Sequence, residues 1–287
     1  SKLPILSGMH SLSVSGQGNW QIKDQAELTD ILTTHPYPSP TYGSDRDPGN
    51  TISALLHPTA NTLFYRGIGN KPCFAEEMGT FGPMNMSEAC SADYIRSNLF
   101  TLWAHDCRGL LWWCANEQNH LLEAPYDWVP MERELGLFRS DYSPRPVLKE
   151  IKQFAKLMDE FPYGDLPQRI VDATCILPSV SDAWSHAYGC FVLAKQAGLD
   201  IEYQSSDQPI KESGLYLLIG TTGVFGKGIS YRRMQAILQK VSSGAILYIS
   251  TDGACFDSFE SISGIRVDYR YMCHDIDKVV MQHAHKE

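Results

Sequence analysis

Two adjacent carboxylates, Glu76 and Glu77, close an apolar run that opens on Lys71 and Pro72 and is followed by Met78 and Gly79. A carboxylate at a strand end can attack an anomeric carbon if a second carboxyl group, about 5–5.5 Å away, protonates the leaving oxygen. His35 and Tyr37 end the apolar run before it. A phenol beside a carboxylate keeps it ionised and oriented through a charge-assisted hydrogen bond. Trp112 and Trp113 end the run after it, and strand alternation turns one of the two inward, where an indole suits the apolar face of a sugar ring. His10 ends the first run and reaches the same rim. Singly these are two solvated glutamates, structural histidines and core tryptophans. Together, on consecutive strand ends, they form a carbohydrate-site pattern in which Glu76 and Glu77 are the candidate nucleophiles.

Such a rim needs parallel strands, and the pattern supplies them. Apolar runs at 4–10, 29–35, 71–77 and 109–115 read as strands, and 51–66, 87–106 and 144–161 as helices. Strands alternating with helices predict an α/β architecture with a parallel sheet. Four strands are half of a (β/α)8 barrel, which takes about 250 residues. Residues 1–162 therefore read as half of such a barrel. After a linker at 161–167 the pattern restarts, and 168–287 reads as an open, flavodoxin-like α/β unit. A half barrel exposes two strand edges and its apolar interior, so association of copies is expected, or closure by the second unit.

Composition narrows the function classes. The 287 residues carry a formal net charge of -9, which repels nucleic acid and anionic membrane surfaces. There is no run of about 18 apolar residues, and the start lacks the pattern of a leader; the bacterial cytoplasm is favoured over secretion. The eight cysteines show no zinc-type spacing and read as reduced thiols, so neither metal nor cofactor is expected. Gly220 to Gly228 resembles a phosphate-cradling loop, but its spacing to Lys227 is one residue too long and Gly228 stands where Ser or Thr would ligate magnesium. Nucleotide binding is the weaker alternative.

The run Asn70 to Gly79 resembles the seventh-strand motif of clan A glycoside hydrolases, among them the cellulase and mannanase family 5 and the β-galactosidase family 42. His35-Pro36-Tyr37 is similar to the sixth-strand motif of that clan, and Gly109 to Trp113 to its eighth strand. The resemblance covers roughly residues 1–160. It implies retaining hydrolysis of a β-galactoside, mannoside or glucoside, with Glu77 as nucleophile and Glu76 as its fallback, His35 and Tyr37 around it and a stacking tryptophan. The acid/base glutamate of the clan follows an asparagine on the fourth strand, upstream of the nucleophile. Here the Asn-Glu pair, Asn116-Glu117, lies downstream, so Glu117 is the weak candidate and a missing upstream segment the stronger expectation. The second unit resembles the class I glutamine-amidotransferase-like domain of family 42, with Gly253-Ala254-Cys255 lacking a working nucleophile elbow. A non-catalytic carbohydrate-binding or assembly module is the other alternative.

Overall fold

The computed structural model describes residues 3–6, 8, 21–38, 49–83, 85–128, 133–178, 183–219, 229–250 and 259–266. The chain divides into two compact units, Ser1–Ala254 and Cys255–Glu287. Of the second, one short helix, α7 (Phe259–Ser263), is described.

Within the first unit, α1 (Ile22–Leu28) leads into β1 (Leu32–Thr34), followed by α2 (Ile52–Gly69), β2 (Cys73–Met78), α3 (Glu88–Ala104), β3 (Leu110–Trp112) and α4 (Pro146–Asp159). The strands form a parallel sheet in the order β1-β2-β3. The helix ends follow from the residues there. Thr51 and Ser87 cap α2 and α3 by accepting from the amides of Ala54 and Cys90, both at 3.3 Å. Asn70, at φ 52°, ends α2 in the left-handed conformation that asparagine tolerates. Pro146 opens α4, where its missing N–H costs nothing.

A second parallel sheet follows, built from β4 (Ala173–Leu177), β5 (Ile201–Ser205), β6 (Leu215–Leu218) and β7 (Ile246–Ile249), in the order β5-β4-β6-β7. Helices α5 (Ala183–Gln196) and α6 (Tyr231–Ser242) connect them. All five residues of β4 are buried, as a central parallel strand requires.

Helix α2 is shared by both sheets. Phe64, 1% exposed, packs edge-on against Trp184 of α5 and Tyr203 of β5 at ring separations of 5.3 and 6.0 Å. Gly67 permits the approach, since a Cβ there would lie 2.5 Å from the Tyr203 carbonyl oxygen. The other layer of core joins Ala75 and Met78 of β2 to Tyr94, Ile95 and Leu102 of α3.

The structure corrects the sequence reading in two places. In the first expected strand, Leu6 makes an isolated bridge to Ile31, because the Asp30 carboxylate takes the Ile5 amide at 2.8 Å in place of a ladder partner. Helix α1, in a stretch to which the sequence reading assigned no element, buries Ile22, Gln25 and Ala26 on one face.

Candidate active site

The site rests on a bulge in β2. Ala75 pairs with Leu110 and Met78 with Trp112, so three steps along β2 match two along β3. Ala75 and Met78 both face the helix-side core, and the extra residue lets Glu76 and Glu77 both leave that face for the rim. Without it, alternation would send the two glutamates to opposite faces. On the other side β1 runs in even register with β2, and continuing it places His35 opposite Glu76.

His35 touches both carboxylates: its Nδ1 stands 3.1 Å from Glu77 Oε2 and its Nε2 3.6 Å from Glu76 Oε2. Tyr37 donates its hydroxyl to Glu77 Oε1 at 2.6 Å. Both oxygens of Glu77 thus have a partner on the β1 side, while the side chain remains 24% exposed and open to a ligand. Glu76 Oε2 is buried without a hydrogen-bond partner. Gly8 lies against it, since a Cβ on residue 8 would come within 3.0 Å of that oxygen.

Three further features position the Tyr37 ring. Phe81, at φ 56°, lies 4.4 Å from it between ring centroids. Gly79 is wedged between that ring and the Trp113 carbonyl, with 3.1 Å to each from a hypothetical Cβ. His57 of α2 sits beneath the Pro36 carbonyl that separates the two site residues. Burial lowers the His57 pKa to about 4, against the smaller upward pull of its hydrogen bond to that carbonyl. The rings of Trp184 and Tyr188 meet His57 edge-on at 5.4 and 5.3 Å. Neither Phe81 nor His57 was singled out in the sequence, although a histidine in the apolar stretch of α2 is a visible signal.

The remaining candidates separate. Trp112 packs on the helix-side core and donates its indole N–H to the Leu135 carbonyl at 3.1 Å, away from the glutamates. Trp113 stands just beyond β3 on the alternate face, 38% exposed, with its amide on the Met78 carbonyl at 2.8 Å. Glu117 is not brought to the rim. It is 3% exposed and holds Arg145, whose Nε donates to Oε1 at 2.7 Å; Asn119 takes Oε2 at 3.4 Å. Arg145 and Arg139 also bind Glu88 at the start of α3, so Glu117 belongs to an ion-pair cluster that fastens the segment after β3. His10, the loop from Gly220 to Gly228, and Cys255 lie outside the described residues.

No protein-family model matches the sequence, and no curated protein matches it. Solved structures do. An exo-β-1,4-mannosidase from Opitutaceae bacterium strain TAV5 superposes with a TM-score of 0.68 at 18% identity, over 82% of this chain and 43% of the other. A β-galactosidase from the psychrophilic Marinomonas ef1 matches with a TM-score of 0.55 at 15% identity, over 82% and 39%. A polyextremophilic β-galactosidase from the Antarctic haloarchaeon Halorubrum lacusprofundi gives 0.59 at 11%, over 84% and 36%. What is shared at such identities is the fold, an α/β arrangement with parallel sheets. The chain spans less than half the length of each of these proteins.

Proposed function

We propose that these residues form the nucleophile side of the active site of a retaining β-glycosidase. The observation that carries this reading is the clamp on Glu77: a phenol at 2.6 Å on one oxygen and an imidazole at 3.1 Å on the other. In the first step a Glu77 oxygen attacks the anomeric carbon, the bond to the aglycone breaks, and the leaving oxygen takes a proton from an acid. Water then attacks the same carbon, releases the Glu77 carboxylate and gives its proton to the conjugate base. Trp113 stacks on the sugar. The substrate is a β-mannoside, galactoside or glucoside; the first two are the classes that the structural neighbours' names give.

The acid is not at this rim among the described residues. Glu76 and Glu77 contact the same imidazole and so stand on one side of any bound ring, whereas the two carboxyls of a retaining pair flank it. Glu117 faces Arg145. In this reading the acid lies outside the described residues. In the same reading residues 1–162 are half of a (β/α)8 barrel. The unit from residue 168 is flavodoxin-like, supported by the strand order 2-1-3-4 of its sheet.

Tyr37→Phe tests the clamp. It removes one hydrogen bond to a charged group and leaves the ring against Phe81, so kcat on aryl β-glycosides should fall about tenfold with the melting point little changed. A variant as active as the parent would detach Tyr37, and with it the carrying observation, from function.

A further inference from the structure

A cavity of about 620 Å³ opens at the opposite end of the strands from Glu77. Its wall combines the last turn of α2, the residues leading into β2 and β3, the lead into β4 and the start of β5. Five cationic side chains line it, Arg66, Lys71, Arg108, Arg169 and Lys211, against two carboxylates, Asp106 and Glu202. In a chain of net charge -9 this is a local reversal of sign.

The internal ion pairs do not use up that charge. Asp106 is shared between Arg66 at 2.8 Å and Arg108 at 3.9 Å. Glu202 takes Lys211 at 2.8 Å. From outside the lining, Asp165 reaches Arg108 at 2.8 Å and Asp200 reaches Arg169 at 3.2 Å. Asp200 is also claimed by Lys195 at 2.6 Å. Lys71 bonds a neutral carbonyl, that of Thr29, at 2.5 Å. Arg169 is 11% exposed, and its Nε is buried with no hydrogen-bond partner, a donor for which the described residues supply no acceptor. The negative end of α2 does not cancel the field, because the Gln208 amide occupies the carbonyls of Gly67 and Ile68 at 3.2 and 3.0 Å.

We propose that this cavity binds a phosphate-bearing small molecule, with Arg169 and Lys71 as the anchoring donors and Arg108 and Lys211 closing on the anion from the two sides. A guanidinium fork matches phosphate oxygens in pairs, and a dianion is the charge that neutralises the surplus. The site stands apart from Glu77 and does not rest on the glycosidase reading.

Calorimetric titration of the whole chain at constant ionic strength, with inorganic phosphate, a hexose 6-phosphate and a nucleoside monophosphate as separate probes, tests it. At least one probe should bind saturably at one site per chain. Arg108→Gln and Lys211→Gln, each of a residue more than 40% exposed, should raise its Kd about tenfold or more, since each removes a charge-assisted contact. Lys156→Gln, on the solvent face of α4, should not. The tightest of the three identifies whether the bare anion, a sugar or a nucleoside is read. Absence of saturable binding for all three, or equal affinity in the parent and in the Arg108→Gln/Lys211→Gln double variant, overturns the proposal.

Discussion

Glu77→Ala, made in a protein that carries these residues within a complete barrel, should lower turnover of aryl β-glycosides by about three orders of magnitude or more, as expected for loss of a covalent nucleophile. Glu76→Ala should cost far less. The difference follows from the bulge in β2, which brings both carboxylates to the rim but gives only Glu77 the Tyr37 hydroxyl. A carboxylate held by a phenol is kept ionised and oriented until it attacks, while Glu76 Oε2 sits against Gly8 without a donor in bonding range. Melting curves of both variants separate lost chemistry from lost fold. If Glu76→Ala were the inactive variant and Glu77→Ala the active one, the roles would have to be exchanged.

A second large effect concerns stability in mild acid. His57 takes up a proton near pH 6.5 in an unfolded chain but only near pH 4 when folded, because burial disfavours the imidazolium. Between those values the unfolded state binds more protons, so stability rises with pH across the window. The contribution is complete above about pH 6.5 and drains away as the pH falls toward 4. By pH 4.5 the loss from this one group is on the order of 2–3 kcal/mol. Urea midpoints at pH 7.5 and 4.5 should therefore separate by that much less in His57→Phe, which keeps the edge-on contacts with Trp184 and Tyr188. Parallel pH dependence in parent and variant would contradict the assignment.

The chemistry-bearing residues were legible because they sit at strand ends, where period-two alternation and a following Gly or Pro mark the position. Glu77, His35 and Tyr37 could be placed at consecutive strand ends from that rule alone. The bulge could not, since one inserted residue in Cys73–Met78 leaves no compositional trace and shows only as three steps against two in the pairing. It is also what brings Glu76 to the same imidazole. Trp112 and Trp113 were equivalent until the Leu135 carbonyl claimed one indole. Glu117 looked like a rim residue because Arg145, its partner, is 28 positions away in sequence. Helix α1 has seven residues with three inward, too short a stretch for the helical period to stand out. The packing of α2 on the second sheet depends on Gly67 against a backbone carbonyl, a contact that pattern reading does not encode.

The claim that Glu77 is the nucleophile can be tested without knowing where the acid lies. A 2-deoxy-2-fluoro β-glycoside with a dinitrophenolate leaving group needs no proton donor for the first step, and its fluorine slows hydrolysis of the glycosyl–enzyme that results. Incubating such mannosides, galactosides and glucosides with the protein and reading intact mass and fragment spectra should show one added fluorosugar, esterified to Glu77. The label should be absent from Glu77→Ala and retained in Glu76→Ala. Esterification at Glu76 or any other carboxylate, or no labelling by any of the three sugars in a protein with a complete barrel, would contradict the account.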